Sequence, residues 1–137
     1  QQLAINKKLV LCGHNIREFD VPYICRRLLR NNQKLPDYFE AIQTKKPWEA
    51  GLLDSMDFWK FGDYKNFISL KLLAFCLGIP SPKDDISGKD VVKVYWNEQG
   101  LERIKTYCQK DVLTVAQIVL KLKGLSLISE SEVKINN

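Results

Sequence analysis

The sequence has almost no histidine and no long apolar run. Its one histidine, His14, nearly excludes a histidine-rich metal site or a histidine-based proton relay. No apolar stretch approaches the ~20 residues that a membrane-spanning helix needs. No long apolar stretch follows the polar start QQLAINKK either. We therefore expect no signal peptide and no membrane partner.

Cysteine is present but sparse, at positions 12, 25, 76 and 108. These positions are too far apart in sequence for a CxxC-type zinc site. Their neighbours are apolar, as in LVLC and LLAFC. The sequence therefore predicts reduced, buried thiols in a cytoplasmic protein.

The rest of the composition is typical of one soluble globular domain. The chain has 137 residues, of which 45% are apolar and 27% charged. A chain of this length can bury a core without disulfides or metal. The net charge of +5 is compatible with a nucleic-acid partner, although many proteins without such a partner are equally basic.

The spacing of apolar residues predicts an α/β pattern, in which strands alternate with helices before a run of helices. The predicted strands are residues 8–13 and 52–56, and the predicted helices are 21–31, 36–43, 69–77, 90–96 and 101–123. Segments 45–50 and 80–88 are predicted to be loops, and 57–66 shows no clear period. Two strands are too few for a stable sheet, which indicates that strands are missing from the front of the chain.

Two places carry candidate chemistry. In residues 13–20 (GHNIREFD) a strand ends, the backbone turns and a helix begins at Asp20. That carboxylate either faces a cleft or serves as the helix N-cap, and spacing alone favours the cap. In residues 107–111 (YCQKD), Tyr107 and Asp111 share one helical face.

The helix that holds Tyr107 and Asp111 also has an apolar stripe at helical spacing. The stripe consists of Leu101, Ile104, Cys108, Val112, Val115, Val119 and Leu122. Tyr107 and Asp111 lie on its flank, where an acidic group is either covered or lines a cleft. The alternative is a surface Asp that pairs with a nearby lysine.

Both places resemble known exonuclease motifs. Residues 13–24 (GHNIREFDVPYI) resemble the second motif, Asn-x(2–3)-Phe/Tyr-Asp, of DEDD-type 3′–5′ exonucleases, and 107–111 resemble the Tyr-x(3)-Asp form of the third. The most similar subgroup is the predicted exonucleases related to the exonuclease domain of family B DNA polymerases. The segments LLDSM, SLKLLAFCLGIPSPK and SGKDV also match, so the resemblance covers about residues 8–123.

The resemblance implies an RNase H-like fold and hydrolysis of phosphodiester bonds at single-stranded DNA or RNA 3′ ends by two divalent cations, Mg²⁺ or Mn²⁺. Carried over by position, Asp20 and Asp111 are metal ligands, and Tyr107 orients or activates the attacking water. Asn15 and Phe19 shape the cleft and hold the terminal nucleotides. The catalytic histidine of a related subgroup corresponds to Tyr107, so His14 has no such role.

The chain departs from the family in its first motif. No Asp has a Glu two residues later, and the Asp-x-Glu motif belongs upstream of residue 8. We therefore expect residues 1–124 to be a partial exonuclease domain and residues 125–137 to be a C-terminal tail. The chain alone is expected to show little or no nuclease activity and to self-associate through an exposed sheet edge or apolar face.

Two alternatives remain open. The first is a degenerate, non-catalytic nucleic-acid-binding module of the same fold, which the missing Asp-x-Glu motif favours and the retained Asp20, Tyr107 and Asp111 disfavour. The second is an unrelated α/β domain with chance matches. Basic residues that either contact phosphates or form a solvated surface are Arg26, Arg27, Arg30, Lys45 and Lys46.

Overall fold

The computed structural model describes residues 10–44, 49, 51–80, 86–97 and 99–135. The chain folds as two compact units, Gln1–Phe67 and Ile68–Asn137.

The first unit alternates strands and helices. Its elements are β1 (Leu11–Gly13), α1 (Asp20–Arg30), α2 (Asp37–Thr44), β2 (Leu52–Asp54) and α3 (Ser55–Lys60). Strands β1 and β2 pair in parallel, with Leu11 opposite Leu52 and Gly13 opposite Asp54. Helices joined to a small parallel sheet are compatible with the predicted α/β class. Residues 8 and 9 of the first predicted strand lie outside the described residues.

The core of this unit forms where α1 and α2 cover the two strands. Ile16, Val21 and Phe39 are buried together, and the flanking side chains packed against them are Leu11, Cys25, Tyr38, Ile42 and Leu52. The Tyr38 hydroxyl donates to the Gly51 carbonyl at 2.7 Å and accepts from the Leu11 backbone N–H at 3.3 Å. These two bonds of the half-buried Tyr38 tie α2 to the start of both strands.

Helix α3 was not predicted, since residues 57–66 have no apolar period. It begins directly after β2 because the Asp54 side chain accepts a hydrogen bond from the Met56 N–H and caps the helix. It ends at Phe61, which adopts the left-handed conformation with φ 43° and ψ 35°. A short helix of this kind depends on its cap more than on periodicity.

The second unit is helical over the described residues. Its elements are α4 (Leu70–Cys76), α5 (Val91–Asn97), α6 (Leu101–Leu122) and a 3-10 turn at Glu130–Glu132. Ser69 caps α4 by accepting from the Leu72 N–H at 3.3 Å, as its position predicts. Gly78 and Gly124 follow the C-terminal ends of α4 and α6 with φ of 65° and 67°, where glycine is favoured.

Helices α4 and α5 both pack against α6. Leu73 and Ala74 of α4 and Val94 of α5 are buried in this unit, and Ile118 of α6 is fully buried. Beyond α6, the Gln117 side chain accepts from the Ile128 N–H at 2.9 Å and donates to the Ile128 carbonyl at 2.8 Å. This paired contact holds the start of the predicted C-terminal tail against the helix.

The predicted apolar stripe of α6 is only partly correct. Leu101 and Val112 are 58% and 71% exposed, and Cys108 is also exposed. The buried residues of the helix are Thr114, Val115 and Ile118. The packed face therefore runs one position away from the stripe over part of the helix, because contact with α4 and α5 decides which face is covered.

The prediction of buried cysteines is wrong. Cys12, Cys76 and Cys108 are exposed, and Cys25 is half-buried. The apolar neighbours that suggested burial do not decide which way a small side chain points on a short strand or helix. None of the four forms a disulfide.

Within the described residues, no helix is both long and apolar enough to cross a membrane. Arg26, Arg27 and Arg30 are exposed on α1. Lys45 and Lys46 lie outside the described residues, as do most of the predicted loop 45–50 and residues 81–85 of the predicted loop 80–88.

Candidate functional site

The turn between β1 and α1 holds the first group of candidate residues. Asn15 adopts a left-handed conformation with φ 58°, which asparagine tolerates better than most residues. Its carbonyl accepts from the Phe19 N–H at 3.0 Å, which closes the turn. A Cβ at Gly13 would stand 2.8 Å from the Ile16 Cβ, so the close approach of the turn to the strand end requires glycine there.

A buried carboxylate, Asp54, holds this turn in place. Asp54 is the last residue of β2, and it is only 3% exposed. One oxygen accepts from the Asn15 N–H at 2.8 Å, and the other accepts from the Arg17 N–H at 3.1 Å. Asp54 also caps α3, so one side chain holds both the turn between β1 and α1 and the start of α3.

Asp54 was not among the predicted site residues. The available signal was an aspartate placed directly after an apolar strand, in LLDSM. Such a residue is a helix N-cap candidate. Its bonds to a turn about 40 residues away depend on the parallel pairing of the strands, which local spacing does not reveal. His14 also reaches this junction, with its Nδ1 at 2.9 Å from the Ser55 Oγ.

Asp20 does not cap α1. The N-cap residue is Phe19, Asp20 is the first helical residue, and no side-chain hydrogen bond caps the helix. Desolvation raises the pKa of Asp20 above its ordinary value, a backbone hydrogen bond opposes the rise, and the negative charge of Asp54 adds to it. The sequence-based preference for a capping role is therefore wrong, and the carboxylate is left for another partner.

Beside Asp20, two aromatic rings face outward. Phe19 and Tyr23 are 64% and 56% exposed, and their ring centroids lie 6.3 Å apart with planes inclined by only 13°. Exposed, nearly parallel rings are suited to stacking against nucleic-acid bases. Asn15, the other predicted substrate-contacting residue, is half-buried in the turn between β1 and α1.

The second group of candidate residues lies in a cleft of about 410 Å³ in the second unit, which we call the Tyr107 cleft. It is lined by Ser69, Leu70, Lys71, Ile86, Ser87, Asp90, Tyr107 and Asp111. Tyr107 and Asp111 stand one turn apart on α6, and the same face continues to the buried Thr114 and Ile118. The structure thus brings the two residues of the third motif into one concave site.

The loop before α5 forms another wall of the Tyr107 cleft. A Cβ at Gly88 would stand 3.9 Å from the Tyr107 hydroxyl, so the loop backbone closely approaches that group. The Ser87 hydroxyl and backbone N–H donate to one Asp90 oxygen at 2.6 and 2.8 Å. These bonds hold the pKa of Asp90 below its ordinary value.

A larger cleft of about 560 Å³ lies between α6 and residues 128–135. Its lining is mostly apolar, and it includes Cys108, Val112 and Ile135 but none of the predicted site residues. Two of the predicted site residues, Tyr107 and Asp111, line the smaller cleft instead.

Asp20 and Asp111 offer the oxygen ligands that Mg²⁺ and Mn²⁺ prefer. Among the described residues, however, no group of three or more His, Cys, Asp or Glu side chains could hold a metal ion. The described carboxylates thus have the right donor type but do not by themselves reach the ligand number that two cations need.

The family comparison covers both groups of residues. A family model described as predicted 3′–5′ exonuclease related to the exonuclease domain of PolB matches residues 3–131. The chain belongs to this family. No curated protein and no solved structure matches the chain significantly.

The match to this exonuclease family includes the turn at 13–20, Asp54 and every residue that lines the Tyr107 cleft. It confirms the family that the two motifs indicated. The predicted roles of Asn15, Phe19, Asp20, Tyr107 and Asp111 stay predictions.

Proposed function

We propose that the protein is a metal-dependent 3′–5′ exonuclease with an RNase H-like fold, which hydrolyses phosphodiester bonds at single-stranded nucleic-acid 3′ ends. The observation that carries this proposal is the exonuclease-family match across residues 3–131. The shared cleft of Tyr107 and Asp111 supports it, because residues of one motif must face one substrate.

In this proposal, Asp20 and Asp111 are ligands of divalent cations, Mg²⁺ or Mn²⁺. Such ions, when bound, stabilise the attacking and leaving oxygens of the displacement. The Tyr107 hydroxyl orients the attacking water from its place against the Gly88 backbone. Phe19 stacks on a terminal base, and Asn15 holds the turn that presents Phe19.

The electrostatics of Asp20 support a cation partner. Its carboxylate is partly desolvated, and it feels the negative charge of the buried Asp54, so its ionised form is disfavoured. A bound cation would remove this penalty. The N-cap position, where a purely structural carboxylate would cap the helix, is taken by Phe19 rather than Asp20.

The test is a hydrolysis assay on the protein as produced in its natural source, so that every carboxylate it carries is present. The substrates are 5′-labelled single-stranded DNA and RNA oligonucleotides, with Mg²⁺, Mn²⁺ or EDTA. We expect stepwise shortening from the 3′ end with a divalent cation and none in EDTA.

Matched variants identify the groups responsible. Asp111→Asn should abolish shortening, and Tyr107→Phe should lower kcat about 100-fold or more. Asp37→Asn removes the same charge at an 87% exposed side chain and should leave the rate unchanged. Absence of divalent-dependent shortening in the source protein would reject the exonuclease proposal.

A second candidate function is a non-catalytic module that binds single-stranded nucleic acid. It is favoured by the absence, among the described residues, of a group of three or more potential metal ligands. Its signature in the same assay is an oligonucleotide complex that forms equally in EDTA and in Mg²⁺, with no change in oligonucleotide length under either condition.

A further inference from the structure

We propose that Lys71 is a substrate-binding residue that contacts a backbone phosphate of the strand occupying the Tyr107 cleft. This inference rests on the proposed function, since it names the phosphodiester backbone as the ligand of that site. Lys71 lies in the first turn of α4 and lines the cleft together with Tyr107 and Asp111.

The walls of the Tyr107 cleft differ in charge. Helix α6 contributes the carboxylate of Asp111, and the loop before α5 contributes that of Asp90. On the third wall, formed by the start of α4, Lys71 is the one cation among the lining residues. A phosphodiester that enters between the two carboxylates is repelled by both, and a positive charge on the remaining wall offsets that repulsion.

Lys71 shares a cleft with two carboxylates, yet it forms no ion pair with any described residue. Lys105, by comparison, pairs with Glu102 one turn away on the same helix, at 3.5 Å. One Asp90 oxygen already accepts two hydrogen bonds from Ser87. The Lys71 ammonium, which has three donors and no acceptor, therefore remains available to an anion.

Ser69 adds a second donor on the same wall. Its oxygen accepts the capping bond from the Leu72 N–H, which leaves the hydroxyl proton to donate elsewhere. Lys71 and Ser69 together give this wall hydrogen-bond donors, whereas the walls opposite carry carboxylate acceptors. A phosphate has acceptors only, so it suits the donor wall and is held away from the acidic ones.

The test measures binding of a 5′-fluorescein-labelled oligothymidylate by fluorescence anisotropy in EDTA, so that hydrolysis does not interfere. Kd is determined between about 50 and 200 mM salt. We expect Lys71→Met to raise Kd about fivefold and to lower the slope of log Kd against log salt by about 0.7, the value for one phosphate contact on a single strand.

Two further variants make the result specific. Lys71→Arg keeps the charge and should restore both Kd and the salt slope. Lys121→Met removes an exposed lysine that lies about 15 Å further along α6 from Asp111 and does not line the cleft, so it should change neither quantity. Thermal melts of all variants should match, because Lys71 and Lys121 are both exposed.

Equal Kd and equal slope for Lys71→Met and Lys121→Met would overturn the proposal and show that Lys71 is a solvated surface residue. Failure of the unmodified protein to bind the oligonucleotide would also overturn it. Neither result decides the exonuclease proposal, which depends on divalent-dependent shortening. Conversely, a protein that never hydrolyses DNA or RNA can still show the Lys71 effect in EDTA.

Discussion

At the scale of single residues, two carboxylates near the first-unit turn have opposite surroundings. Asp54 is buried and accepts three backbone hydrogen bonds, from Asn15, Arg17 and Met56. Asp20 is exposed, makes no cap, and has a raised pKa because of desolvation and the charge of Asp54. Asp54 therefore stabilises the fold, whereas the ionised form of Asp20 lowers its stability.

We predict that Asp54→Asn lowers the free energy of unfolding by about 1–3 kcal/mol, the range for a buried group left without its partner. The amide offers one acceptor oxygen, and its NH₂ group would face one of the three N–H donors that the carboxylate now satisfies. Urea denaturation monitored by circular dichroism measures the loss.

The matched comparison is Asp20→Asn, which we expect to leave stability unchanged or higher. The pKa of Asp20 is raised on folding, so its ionised form destabilises the fold above that pKa, and the penalty disappears as pH falls through it. The advantage of Asp20→Asn should therefore shrink toward acidic pH. A loss of stability in Asp20→Asn as large as in Asp54→Asn would contradict this assignment.

Some contacts between single residues could be predicted from the sequence, and others could not. Tyr107 and Asp111 are four apart, so helical spacing alone predicts that they share a face, and they line one cleft. Asp54 was missed because its partners, Asn15 and Arg17, are brought to it only by strand pairing. Contacts within a helix follow from local spacing, whereas contacts across a sheet require the register.

At the scale of elements, periodicity and caps predicted most of the helices. Ser69, Gly78 and Gly124 mark helix ends where the sequence places them. The exception is α3, which is too short to show a period and ends at a phenylalanine rather than a glycine. Phe61 is 84% exposed, so burial does not compensate for its left-handed backbone.

We predict that Phe61→Gly raises the free energy of unfolding by up to about 1 kcal/mol. A left-handed conformation costs about 1–2 kcal/mol for a residue with a Cβ, and the greater backbone entropy of unfolded glycine offsets part of the gain. The lost ring contact with Trp59, at 6.5 Å between centroids, offsets a little more. Thermal unfolding reports the change as a higher Tm.

The control is Phe58→Gly, in the same helix but with right-handed backbone and a 47% exposed side chain. Glycine in a helix interior is less favourable by about 1 kcal/mol, so Tm should fall. If both variants lower Tm, the Phe61 ring stabilises the fold by more than its left-handed backbone conformation destabilises it.

At the scale of the whole molecule, the sheet of the first unit is small. Over the described residues it has two strands of three residues each, so each strand has one neighbour. Large apolar side chains are exposed in the same unit, and the most exposed are Phe61, Tyr64 and Phe19. The sequence predicted a shortage of strands, but the predicted boundary at residue 124 stays a prediction.

We expect the 137-residue chain, produced alone, to self-associate because strand edges and apolar surface of this kind are covered by association. Sedimentation velocity over a range of protein concentrations should show a weight-average sedimentation coefficient that rises with concentration. A single sharp boundary at 15.9 kDa at every concentration would contradict this expectation.

The pairing of Gly13 with Asp54 also limits where insertions and deletions in the gene are tolerated. Asp54 reaches the turn only because both strands end at the same level of the ladder. Inserting or deleting one codon within either strand would turn alternate side chains to the opposite face and withdraw the carboxylate from its backbone partners. We therefore expect related sequences to carry insertions and deletions between α1 and α2, at residues 31–36, and not within the two strands.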